Sequence, residues 1–289
     1  QGLYSMPFFR GGPLEGTEYA NGFISYHDLY NWPTSPEQLE AWRNYVRYMV
    51  NDLKGYVKYW EVWNEAFDVS GGLGGIAYID PYLAMLKIAS EEIRKADPRN
   101  NVIFAEAVPL APGVLDIIDG LLEKGAGRYG DAIAWHPYQG VRPEIVDPSF
   151  MKILSSKYPE IKYPEISTTE QMWDKIREIA KKRDFSGRYF ANEYWWSAVP
   201  PSSELTKAKY AVRNAVLHAA HDITFFWCEI WHNYNPKANA GLLRVGPSME
   251  PDTPQTPAPV YYALRTLCTV MDGAKPAPEL KIKSSNTQD

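Results

Sequence analysis

Between residues 36 and 271, five amphipathic helical stretches are each followed by a short, almost wholly apolar run. The runs are about 57–63, 102–105, 132–135, 188–191 and 223–227, and residues 257–271 add a closing helix. Strands apolar on both faces belong in a sheet that is covered on both faces. Alternation with helices makes that sheet parallel. Local signals fix the phase. Ser35-Pro36-Glu37-Gln38 reads as a capping box with proline at the first helical turn, and Thr168 or Thr169 caps the helix that reaches Lys182. Residues 2–9 read as a further strand. The 30-residue stretch from 139 onward reads as an inserted loop with one short helix, and 233–256 reads as loop. The expected fold is therefore an α/β architecture, a (β/α)8 TIM barrel.

Six strands are counted where a closed barrel needs eight. The run at 57–63 should be the fourth strand, so strands 3 to 8 are expected here and strands 1 and 2 are expected to be missing. Residues 1–273 are assigned to this partial barrel. Residues 274–289, with alternation at Leu280-Lys281-Ile282-Lys283, are assigned to the start of a C-terminal β-domain or tail. The expected shape is an open barrel with a gap between strands 2–6 and 223–227.

Chemistry concentrates at strand ends. Tyr59-Trp60-Glu61-Val62-Trp63-Asn64-Glu65 alternates as a strand, with Glu65 at its C-terminal tip, where barrels carry their sites. Alternation points Glu61 away from Asn64 and assigns it to structure. Glu106 tips the next strand without a motif around it. Asn192-Glu193 ends a strand three βα steps after Glu65. Two glutamates on one barrel rim are the equipment for retaining glycoside hydrolysis, one as acid and one as nucleophile, at about 5–5.5 Å separation.

Other classes fit less well. A net charge of −5 and a pI near 5.7 argue against nucleic-acid partners. No apolar run is long enough to span a membrane. The glycines at 71–75 match neither a dinucleotide fingerprint nor a P-loop, and the five histidines show no zinc spacing, so no cofactor and no metal are expected. Cys228 and Cys268 are read as two thiols rather than a disulfide framework. The 10 Trp and 20 Tyr supply flat rings suited to sugar faces.

These residues resemble the retaining glycoside hydrolases of clan A. Trp63-Asn64-Glu65 is similar to their W-N-E, and the longer run YWEVWNE, after a helix with Ser35-Pro36 and Trp42, looks closest to family 39, the β-xylosidase and iduronidase group. His136-Pro137-Tyr138 is similar to the His-x-Tyr of the sixth strand, and Trp227 or Trp231 to the tryptophan of the eighth. The resemblance implies Glu65 as general acid/base and Glu193 as nucleophile. It implies that Asn64 binds the hydroxyl beside the anomeric carbon, that Tyr138 holds Glu193, and that His136 bridges toward the acid. The clan's early-strand arginine has no visible counterpart. A β-linked poly- or oligosaccharide is the implied substrate, and a secreted or periplasmic location is favoured. A carbohydrate-binding barrel without catalysis is the alternative. It would keep the aromatics without needing both glutamates.

Overall fold

A computed structural model describes residues 33–68, 74–138, 140–160, 162, 165–196, 202–228, 230, 240–244, 256–275 and 277. They fall into two compact units, divided after Tyr194. The strands expected at 2–6 and 280–283 lie outside the described residues. Among the described residues no helix is long and apolar enough to cross a membrane.

The first unit is built on a parallel sheet. Its strands are β1 (Tyr59–Glu61), β2 (Phe67–Asp68), β3 (Asn101–Val108), β4 (Ala132–Trp135) and β5 (Arg188–Tyr194). β3 pairs with β1 and β2 on one side and with β4 on the other, and β4 pairs with β5. The helices are α1 (Pro36–Asp52), α2 (Ile79–Ala96), α3 (Gly113–Glu123), α4 (Pro148–Lys157) and α5 (Thr169–Lys182). α1 and α5 each begin in a full capping box, Ser35 with Gln38 and Thr168 with Gln171, as the sequence dictates. The buried residues Tyr82, Met85, Leu86, Ala89 and Ile93 give α2 its apolar face. Glu92 on α2 is clamped by Arg43 and Arg47 of α1, at 3.0 and 2.8 Å.

Three strand boundaries depart from expectation, and all three bear on the site. β1 stops at Glu61, two residues early. Trp63 and Glu65 take left-handed backbone conformations, φ 74° and 49°, which end the alternation. Glu106 does not tip β3 but lies inside it, and Asn192-Glu193 lie inside β5. The loop expected at 233–256 contains Leu243–Arg244, which pairs antiparallel with Thr256–Pro257.

Register explains the first two departures. Glu61 pairs with Ile103 and Phe67 with Ala107, so six residue steps on one side face four on the other. The two surplus residues are extruded in the Val62–Ala66 segment. On its other edge β3 carries one surplus residue, since Phe104 pairs with Ile133 and Ala107 with Trp135. That bulge holds Ala105 at φ 69°. Irregular ladders leave backbone groups unpaired, and a buried unpaired group is costly. One side chain serves both irregularities. The buried Tyr82 hydroxyl donates to the Val62 carbonyl (3.0 Å) and accepts from the Ala105 N–H (3.2 Å).

The second unit contains β6 (Ile223–Trp227), the β7–β8 ladder (Leu243–Arg244, Thr256–Pro257), α6 (Glu204–Ala220) and α7 (Pro259–Val270). Its core joins Ala208, Ala211, Ala258 and Val260 to Trp227, Leu242, Ala263 and Leu264. Lys207 is buried there, donating to the Gly241 carbonyl (3.2 Å) and pairing with Glu204.

Tyr82→Phe removes one hydroxyl and strands two buried backbone groups. It should cost about 1–3 kcal/mol in a urea melt, and an unchanged midpoint would disprove this backbone account. The Glu92 carboxyl is held down at about 2 by Arg47 and Arg43, against the opposing effect of burial. A depressed carboxylate stabilises above its unfolded pKa and loses that contribution as pH falls through its folded one. Glu92→Gln should therefore be less stable than wild type at neutral pH. The gap should close as pH falls from about 4.5 toward 2.

Candidate active site

All polar residues of this site lie toward the C-terminal ends of parallel strands of the first unit, where strand dipeptides give way to loops. Glu65 follows β1, Glu106 sits past the β3 bulge, His136 and Tyr138 follow β4, and Glu193 lies near the end of β5. The structure brings together four of the residues singled out from sequence: Glu65, His136, Tyr138 and Glu193. Carboxylate oxygens of Glu65 and Glu193 and a ring nitrogen of His136 lie within 4.8 Å of one another. Asn64 is half-buried beside Glu65. Trp227 ends β6 in the second unit, and Trp231 lies outside the described residues.

His136 is fully buried and both its nitrogens face carboxylates. Nε2 lies 2.7 Å from Glu106 Oε1, and Nδ1 lies 3.2 Å from Glu65 Oε1. A neutral ring would aim one lone pair at a carboxylate oxygen, whereas an imidazolium donates at both positions. Burial alone would lower the His136 pKa. The charge and hydrogen bond of Glu106, helped by Glu65, override it and push the ring up to about 10.

Glu193 accepts from the Tyr138 hydroxyl at 2.7 Å. Its second oxygen stands 3.9 Å from His136 Nε2, beyond hydrogen-bond reach. Burial raises the Glu193 carboxyl above its ordinary value, while the His136 charge and the Tyr138 bond pull it back. The Tyr138 ring stacks on Tyr194, at 6.3 Å between centroids.

Sequence reasoning missed the layer beneath. Glu106 is fully buried and accepts three hydrogen bonds: from the Glu65 backbone N–H (2.7 Å), from His136 Nε2 and from Asn192 Nδ2. Asn192 also donates to Glu61 Oε2, at 2.8 Å. Burial and the neighbouring Glu106 charge push Glu61 well above the usual carboxylate range. Glu106 is also desolvated, yet the His136 charge and its hydrogen bonds hold it below the ordinary value. Glu61 is thus a member of this polar layer rather than a residue of structure alone. The signal was a charged residue within each apolar strand, which is rarely tolerated unless partnered. Trp63 and Phe67 find ring partners in the helical layer, Trp42 of α1 and Tyr82 of α2.

Two triplets bring donor atoms close enough for a cation, Glu61–Glu106–His136 and Glu65–His136–Glu193, each within 4.8 Å. His136 belongs to both. As an imidazolium it has no lone pair to offer a metal.

No protein-family model matches the sequence, and no curated protein matches it. Solved structures do match. One is a family 39 glycoside hydrolase from the gut symbiont Bacteroides cellulosilyticus WH2. It is 19% identical over 84% of this chain and 47% of that one, with a TM-score of 0.62. Another is a family 39 β-xylosidase from Caulobacter crescentus, 17% identical over 80% of this chain and 47% of that one, with a TM-score of 0.51. The fold is that of the barrel glycoside hydrolases. This chain spans about half the length of the two structures it resembles.

Tyr138→Phe removes the only hydroxyl donor named at Glu193 among the described residues. That bond favours the ionised form, so the Glu193 pKa should rise further in the variant. Carboxyl ¹³C NMR titration reads this directly, and a fall or no change would reject the assigned role of Tyr138.

Proposed function

We propose that this chain carries the catalytic centre of a retaining glycoside hydrolase acting on β-linked poly- or oligosaccharides. The observation that carries the reading is the Glu65–Glu193 pair, with carboxylate oxygens within 4.8 Å at one end of a parallel sheet. Retaining enzymes hold their carboxyl groups about 5–5.5 Å apart, whereas inverting ones leave about 6.5–9.5 Å for a water.

Glu193 is the nucleophile. Tyr138 and the nearby imidazolium favour its carboxylate, and burial leaves that carboxylate poorly hydrated and reactive. Glu65 is the general acid/base. It takes a hydrogen bond from His136 and has its backbone fixed by Glu106. In the first step Glu193 attacks the anomeric carbon while Glu65 protonates the departing glycosidic oxygen. In the second, Glu65 deprotonates a water that displaces Glu193. Asn64 binds the hydroxyl next to the anomeric carbon. The side chains of Glu65 and Glu193 are 21% and 28% exposed, so substrate can reach both.

Azide separates the two roles, measured on 4-nitrophenyl β-glycosides. Glu65→Ala should lose about 10²–10⁴-fold in turnover. Azide should restore activity with a β-glycosyl azide as product, because it attacks the covalent intermediate. Glu193→Ala should lose turnover, and azide should give the α-glycosyl azide, because it replaces the nucleophile. The same anomer from both variants would reject the assignment. Sugar binding without turnover in wild type would favour a binding barrel.

A further inference from the structure

Glu106 is held where no substrate can touch it: its side chain is 1% exposed, against 21% for Glu65. It nonetheless has the most connected side chain of the site. One oxygen, Oε2, accepts from the backbone N–H of Glu65 at 2.7 Å. The other, Oε1, accepts from His136 Nε2 at 2.7 Å and from Asn192 Nδ2. These partners lie on three separate chain segments: the extruded turn after β1, the end of β4, and β5 immediately before Glu193. Any motion of one segment must therefore break a charge-assisted hydrogen bond in a low-dielectric interior.

We infer that Glu106 is a positioning residue that locks His136 as a permanent imidazolium between the two catalytic carboxyls and fixes the turn bearing Glu65. The inference rests on the reading of Glu65 and Glu193 as the catalytic pair. The geometry specifies the consequence for charge. His136 faces Glu106 from β3, Glu65 from the turn after β1, and Glu193 from β5. The Tyr138 ring lies 5.8 Å from it between centroids, nearly perpendicular, and Glu61 closes the far side of Glu106 through Asn192. Only the contacts with Glu106 and Glu65 are within hydrogen-bond distance. The Glu106 contact is the shorter, and its carboxylate is the one wholly withdrawn from water. Glu106 therefore neutralises most of the His136 charge. What remains is a fixed N–H donor at Nδ1 aimed at Glu65. That donor is present whether Glu65 is an acid or a carboxylate, so the acid/base can cycle without losing its orientation.

Histidine ¹⁵N NMR on the whole chain tests this without turnover, with His136 assigned by its loss in His136→Asn. In wild type both His136 nitrogens should stay protonated from pH 5 to 8, the Nε2 proton shifted far downfield. In Glu106→Gln the His136 pKa should fall by about two units, a 100-fold loss of proton affinity. On 4-nitrophenyl β-glycosides the same variant should lose at least tenfold in kcat with KM changed less than threefold. A wild-type His136 that titrates near 6.5, or is singly protonated at pH 7, overturns the inference even if the variant fails to fold. An unchanged His136 pKa in a folded Glu106→Gln overturns it as well. A wild-type protein that turns over no aryl glycoside, with His136 still doubly protonated, sinks the glycosidase reading and leaves the lock of His136 standing.

Discussion

The site depends on a mismatch of register within one sheet. β3 is paired on one edge with a chain that needs six residue steps to cover its four, and on the other with a strand that needs two to cover its three. Parallel ladders with equal counts would place side chains alternately on the two faces. Here three residues without glycine's freedom, Trp63, Glu65 and Ala105, adopt left-handed conformations. Each such residue costs on the order of 1–2 kcal/mol. The gain is aim. The bulge re-points Glu106 toward the end of the sheet, and the extruded turn lays the Glu65 N–H against it.

Once aimed inward, a carboxylate in this setting must find partners, because an isolated buried ion is very unfavourable. Glu106 finds them in His136 and Asn192. His136 finds a second anion in Glu65. The same desolvation acts differently on Glu61, which has the Glu106 carboxylate and an amide rather than a cation for neighbours, and whose carboxyl is therefore raised well above the usual range. Two buried glutamates on neighbouring strands are thus shifted in opposite directions, according to which of them touches the histidine. Both are withdrawn from water, so their divergence serves the arrangement of the groups around them.

The fold was legible because its signals are local. Capping boxes at Ser35 and Thr168 and apolar runs at 102–105 and 132–135 register in one stretch of chain at a time. Glu65, Glu193, His136 and Tyr138 were legible for another reason: short sequence motifs surround them. Glu106 and Glu61 were not. Their importance lies in partners 30 to 131 residues distant, such as Asn192 for Glu61, and spacing of that kind leaves no local pattern. The end of β1 was misjudged for a related reason. Alternation at Trp60, Val62 and Asn64 predicts a continuing strand, and nothing in residues 59–65 announces that the facing strand covers the same span in two fewer residues.

Tyr82 brings a consequence for how such a protein can change over generations. Its hydroxyl seals the two irregular ladder positions from the helical side. A lineage drifting toward higher stability would gain by straightening β3 and dropping its left-handed residue. That step would shift the strand by one position and turn every later side chain, Glu106 included, to the opposite face. By satisfying the bulge, Tyr82 removes much of the advantage of straightening it. A residue on a covering helix thereby acts as a brake on losing the arrangement of the polar cluster.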